Sequence, residues 1–94
     1  MSSGGNYPIY ASQLVPWEIK PPKNKPRSTL FLQNLSPNAV LVGEDTLPDA
    51  NSGIQLGAGL QMTYDISQGP VPQGKIWIVG TNGATLQQVI TRQA

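Results

Sequence analysis

Leu60-Gln61-Met62-Thr63-Tyr64-Asp65-Ile66 alternates apolar and polar side chains without a break. Successive side chains of a β-strand point to opposite faces. A period of two therefore places Leu60, Met62, Tyr64 and Ile66 on one side and Gln61, Thr63 and Asp65 on the other. The stretch predicts a strand with one wet face, and its neighbours extend the pattern. Upstream, Gly57-Ala58-Gly59 is a turn preceded by a short strand over 53–56. Downstream, 67–74 (SQGPVPQG) is a loop by composition, and 75–80 is a strand with Ile76 and Ile78 opposed to Trp77 and Val79. Asn82-Gly83 supplies the residue pair of a type I′ turn, which predicts a hairpin with its return strand over 85–92.

Residues 29–35 form a continuous, mostly apolar run whose length and composition suit a buried strand. Ser36-Pro37-Asn38 is a turn, 39–43 is a short valine-rich strand, and the two strands read as a hairpin. A polar loop containing Pro48 fills 44–52. The pattern holds no helix and no internal repeat. Short strands separated by turn signals predict an all-β domain, a small antiparallel β-sandwich or barrel, over residues 29–94.

Residues 1–28 differ in kind. Pro8, Pro16, Pro21, Pro22 and Pro26 are five of the nine prolines, and each fixes φ and removes a backbone donor. Apolar side chains are scattered among them, which a disordered tail would lack. The segment therefore reads as an extended proline-rich N-terminal arm. Such an arm either wraps its own domain or straps a neighbouring subunit, and the second is the expectation carried forward. Ile9, Tyr10, Trp17 and Ile19 would be its buried anchors. Lys20, Lys23, Lys25 and Arg27 would meet an acidic surface and set orientation. Removing residues 1–27 is expected to leave the sandwich folded.

Composition narrows the chemistry. The 94 residues include no cysteine and no histidine, so disulfides, thiolate metal sites and Ser–His or Cys–His catalysis are excluded. A chain this short buries a modest fraction of its surface, and association is the usual remedy. Charged residues make up 12% of the chain and the net charge is +1. Residues 1–27 carry four cations against one acid, whereas 28–94 carry two against four. No basic start or apolar run marks a signal peptide, and no stretch approaches a membrane span. Synthesis in the cytoplasm, with no membrane partner, is expected.

Glu44, Asp45 and Asp49, with Asn51 beside them, offer oxygens for a hard cation but lack the ordered spacing of a calcium loop. A solvated loop is expected, with no metal and no cofactor. Gly57-Ala58-Gly59 lacks the later glycine, the lysine and the helix of a phosphate loop. Asn34-Leu35-Ser36 matches a glycosylation sequon by accident. The basic cluster over 20–27 has too few charges for nucleic acid, and an acidic protein surface suits it better.

Residues 30–43 (LFLQNLSPNAVLVG) followed by 52–60 (SGIQLGAGL) resemble small β-sandwich virion proteins of tailed bacteriophages. That family shows a strand, an Asn-x-Ser-like turn, a Val-x-Val-Gly strand, a polar loop, then a Gly-Φ-x-Leu-x-Ala-Gly segment. The shared stretch covers roughly residues 29–92. The resemblance implies a non-enzymatic role on the virus particle, similar to capsid decoration (cement) proteins, and it brings no catalytic residue. The arm lies outside the shared stretch and points to decoration. The expected function is a decoration protein on the capsid surface, bound to the major capsid protein or another virion protein. A homo-oligomer is expected, a trimer being one such state. A host-surface adhesion module and a head–tail (neck) adaptor are the alternatives.

Overall fold

The computed structural model describes residues 6–23, 25–49 and 51–94; residues 1–5 of the expected arm, with 24 and 50, lie outside them. Eight strands follow one another without a helix among the described residues: β1 (Tyr7–Ala11), β2 (Trp17–Ile19), β3 (Thr29–Asn34), β4 (Val40–Glu44), β5 (Ile54–Leu56), β6 (Gln61–Asp65), β7 (Ile76–Gly80) and β8 (Gln87–Gln93). They form two antiparallel four-stranded sheets, ordered β1-β8-β3-β6 and β2-β7-β4-β5. The pairing is nested: first with last, second with seventh, third with sixth, fourth with fifth. A long double ribbon rolled up in this way is the eight-stranded jelly roll.

Alternation explains which side chains fill the space between the sheets. Leu30, Leu32 and Val89 come from one sheet, and Val40, Val42, Ile76 and Ile78 from the other, all buried. Trp77 and Val79 lie half-buried on the outer face, opposed to Ile76 and Ile78 as expected. Met62 and Tyr64 pack against this core. Leu60 and Ile66, expected to join them, fall outside β6 and are exposed. The ladder from β6 to β3 runs from Gln61↔Gln33 to Asp65↔Thr29; beyond it the backbones of Leu60 and Ile66 still bond to Asn34 and Ser28, each at 2.9 Å, but their side chains lie past the end of the ladder.

Two expected hairpins are corrected. β3 and β4 lie in different sheets, as do β7 and β8. Gly83 has φ +56°, but Asn82 does not have the positive φ that a type I′ turn requires. The six-residue connection instead crosses the sandwich. Consecutive strands pair in one sheet only at β4–β5.

The expected division into an arm (1–28) and a sandwich (29–94) is also corrected. β1 pairs with β8 from Tyr7↔Thr91 to Ala11↔Gln87, and β2 pairs with β7 from Trp17↔Ile78 to Ile19↔Ile76. Each is the edge strand of its sheet, where a proline such as Pro8 is tolerated. Ile9, Ala11 and Ile19 are core residues, between 0% and 2% exposed. The apolar residues of this segment complete the domain's own core, so self-packing prevails over strapping.

Deletion of residues 1–27 is accordingly expected to abolish cooperative unfolding. It removes two strands and two fully buried isoleucines, each worth about 1.5–3 kcal/mol against a total stability of roughly 5–15 kcal/mol. Trp77 fluorescence across a urea series reads this directly, and a retained transition at an unchanged midpoint would restore the separate-arm arrangement. Thr91 gives an opposite case. It is fully buried and its hydroxyl has no hydrogen-bond partner among the described residues. Thr91→Val is expected to stabilise the protein by about 1 kcal/mol, seen as a higher urea midpoint with an unchanged slope.

Candidate interaction surface

The nested pairing sorts the seven connections onto two ends. Segments 12–16, 35–39, 57–60 and 81–86 close one end, while 20–28, 45–53 and 66–75 close the other. Seven of the eleven charged residues lie in the second set of connections, the other four lie in strands, and none lies in the first. The molecule thus has a charged end and an uncharged end.

Arg27 organises the charged end. Its side chain is fully buried. Nε donates to Gln93 Oε1 at 2.6 Å, and one terminal nitrogen donates to the carbonyls of Pro72 at 2.9 Å and Gly74 at 2.6 Å. The other lies 3.5 Å from the Ile19 carbonyl. Gln73 completes the clamp, accepting from the Arg27 amide at 2.7 Å and donating to its carbonyl at 2.9 Å. Gln93 in turn donates to the Lys20 carbonyl at 2.9 Å. One guanidinium thereby joins the end of β2, the 20–28 connection, the 66–75 connection and the end of β8. Burial pushes its pKa down, partly offset by the nearby Asp45 carboxylate.

Around this clamp, a cleft of about 810 Å³ is lined by Lys20, Lys23 and Lys75 together with Glu18 and Asp45. Lys75 Nζ lies 3.7 Å from Glu18 Oε2, an ion pair half open to solvent. Three ammonium groups against two carboxylates leave a small cationic excess, suited to an acidic partner and screened by salt. The acids of the 45–53 connection are engaged separately. The Asp45 carboxylate packs on Gly74, where a Cβ would collide with it. Asp49 accepts from the Asn51 amide at 2.8 Å and the Ser52 hydroxyl at 3.2 Å, and these bonds hold its carboxyl below the ordinary range. Asp65 is held low in the same way by the amide and hydroxyl of Ser67. Among the described residues, no three His, Cys, Asp or Glu side chains come together.

Two buried amides organise the uncharged end. Asn34 Nδ2 donates to the carbonyls of Asn38, Leu56 and Gly57 at 2.8–3.2 Å, and its Oδ1 accepts from the amide and hydroxyl of Ser36. Gln87 Nε2 donates to Ser36 Oγ and to the carbonyls of Asn38 and Ala39, each at 3.0 Å, and its Oε1 accepts from the amides of Thr81 and Asn82. Gly80 is required beside them, because a Cβ there would meet Gln87 Oε1 at 2.5 Å and the Ser12 backbone at 3.0 Å. The Gln13 amide donates to the Gly83 carbonyl at 3.0 Å, which links the first connection to the last. All four connections are thus tied together. Asn34 is fully buried, which places the sequon's amide out of reach of modification.

The expected anchors are divided by this arrangement. Ile9, Ile19 and Arg27 face inward and present nothing to a partner. Tyr10 and Trp17 are 46% and 41% exposed, on either side of the 12–16 connection. Lys20, Lys23 and Lys25 are exposed at the charged end. Sequence reasoning missed the roles of Asn34 and Gln87. Their one signal was an amide at the boundary of an apolar strand next to a Gly- or Pro-containing turn.

No family model, curated protein or solved structure matches this chain. The likeness to tailed-phage virion proteins therefore rests on the quoted strands and turns alone.

Arg27→Met keeps most of the side-chain volume but leaves the Pro72 and Gly74 carbonyls and Gln93 Oε1 without their donor. The expected loss is about 3 kcal/mol, measured as a lower urea midpoint. A change within about 0.5 kcal/mol, the range of an ordinary surface substitution, would show that the clamp is dispensable.

Proposed function

We propose that this protein is a non-enzymatic structural component of a virion, a capsid decoration protein attached to shell subunits through its charged end. The observation that carries the reading is the eight-stranded jelly roll, an architecture that recurs in viral capsid and lectin domains. Fold alone does not assign function. The resemblance of residues 30–43 and 52–60 to phage virion proteins supplies the context, and the surface chemistry supplies the mechanism.

With Ile9, Ile19 and Arg27 inside the domain, attachment falls to Lys20 and Lys23 of the cleft and to exposed Lys25 in the same connection. These cations steer the protein onto an acidic shell surface and fix its orientation. Each contact is weak, but repetition over a lattice raises the effective concentration of every neighbouring copy. The partner is the major capsid protein or another virion protein, the location is the capsid surface, and neither nucleic acid nor a membrane is needed.

One observation favours host-surface adhesion as a second reading. Tyr10 and Trp17 are exposed on either side of one connection, and aromatic faces of this kind suit glycan stacking.

Co-sedimentation of labelled protein with undecorated expanded capsids of the parent virus tests the proposal. Binding is expected to saturate at a fixed number per lattice point. It should weaken at least tenfold when Lys20, Lys23 and Lys25 are together changed to Glu, and weaken with added salt. Absence of co-sedimentation at any concentration would sink the decoration reading. Glycan binding lost in Trp17→Ala would replace it with adhesion.

A further inference from the structure

Every connection at the uncharged end raises an aliphatic side chain into solvent. Leu14 and Val15 stand between β1 and β2, Leu35 between β3 and β4, Leu60 between β5 and β6, and Leu86 between β7 and β8. Each is between 48% and 70% exposed. Together they present apolar surface on the order of 400 Å², the size of the largest apolar patch on a typical monomer, a patch that is often functional. No Lys, Arg, Asp or Glu occurs in 12–16, 35–39, 57–60 or 81–86.

We propose that this end docks a second copy of the same chain, in a two-fold contact that brings the four connections against their own images. An isologous contact sets each patch against an identical patch, so a charge near the axis would face its like. A patch without charge avoids that repulsion: none of the eleven charged residues lies in the four connections, and Asp49, which shares a cleft with Gln13 and Thr81, stands at the rim. At a net charge of +1 the two copies have little long-range repulsion to overcome. The aliphatic centre supplies about half of the roughly 800 Å² that each partner contributes to a standard interface. Trp17 and the polar connection residues Gln13, Ser36 and Asn82 provide the rim.

The surface is also ordered before contact. Asn34 and Gln87 hold three connections to one another, and Gln13 ties in the fourth. Little loop entropy remains to be lost on docking. Other occupants fit less well. An anionic bilayer attracts basic residues around the inserting loops, and this end has none. A partner protein chosen by charge would find nothing to recognise.

The inference goes beyond the virion reading, because the contact forms in free protein and requires no shell. Sedimentation equilibrium of the full chain from about 1 μM to about 1 mM tests it. The mass is expected to rise from monomer to twice that value, with a midpoint that is little changed between low and high salt because the centre of the contact carries no charge. Leu14→Asp combined with Leu86→Asp, at exposed positions, should raise the dissociation constant at least tenfold. An unchanged urea midpoint verifies that this variant is folded, and Leu60→Asp serves in its place if it is not. A wild-type chain that stays monomeric throughout would overturn the proposal, whether it remains free or floats with zwitterionic vesicles. So would folded variants that dimerise like wild type, or a dimer that dissociates with salt. A salt-insensitive dimer that never binds shells would uphold this inference and count against the decoration reading alone.

Discussion

The buried guanidinium of Arg27 is the constraint on which the charged end depends. A cation removed from water is costly unless its donors find acceptors, and four of the five guanidinium N–H groups do. Here the acceptors are backbone carbonyls and a glutamine amide rather than a carboxylate. The chain must therefore bring the 66–75 connection, the end of β8 and the end of β2 to one point. Segments without regular structure thereby acquire fixed positions. The cleft of lysines and acids beside the clamp shares three of its segments, the end of β2, the 20–28 connection and the 66–75 connection, and Asp45 of the 45–53 connection closes it.

Asn34 and Gln87 do the equivalent task at the opposite end with neutral groups. A primary amide offers two donors and an acceptor, so one side chain can close several turns at once. Their networks replace what hairpin hydrogen bonds would supply if consecutive strands paired. In this topology most connections cross from one sheet to the other, and their backbone groups need partners from side chains. The two ends thus solve one problem with different chemistry. The charge on one solution and the neutrality of the other give the molecule its two unlike faces.

Six of the eight strands were legible in the sequence; β1 and β2 were not. β6 and β7 follow from strict alternation, and β3 and β4 from short apolar runs bounded by turns. Their pairing was not. Asn82-Gly83 carries the local signature of a hairpin, but Gln87 captures the adjacent amides and sends the chain across the sandwich. Pro8 and its fellow prolines marked residues 1–28 as an arm, because proline density weighs against a central strand. Edge strands accept proline, and β1 and β2 are both edges. Of the expected anchor set, Tyr10, Trp17, Lys20, Lys23 and Lys25 stayed on the surface, whereas Ile9, Ile19 and Arg27 were drawn into the core. Apolar anchors in an extended segment look alike from sequence whether they serve the chain's own core or another's. Only the register with β7 and β8 separates the two.

The nested pairing also sets an order of events during synthesis. β8 lies between β1 and β3, with Tyr7 opposite Thr91. β1 has no neighbour in its sheet until β8 has left the ribosome. Until then Ile9, Leu30 and Leu32 sit in a sheet that lacks one of its two inner strands. Only the β4–β5 hairpin can form from adjacent segments as they emerge. The nascent chain therefore waits, with its edges unpaired, for residues 87–93. Topology therefore makes β1 and β3 wait on a distant segment, the kind of non-local pairing that slows folding.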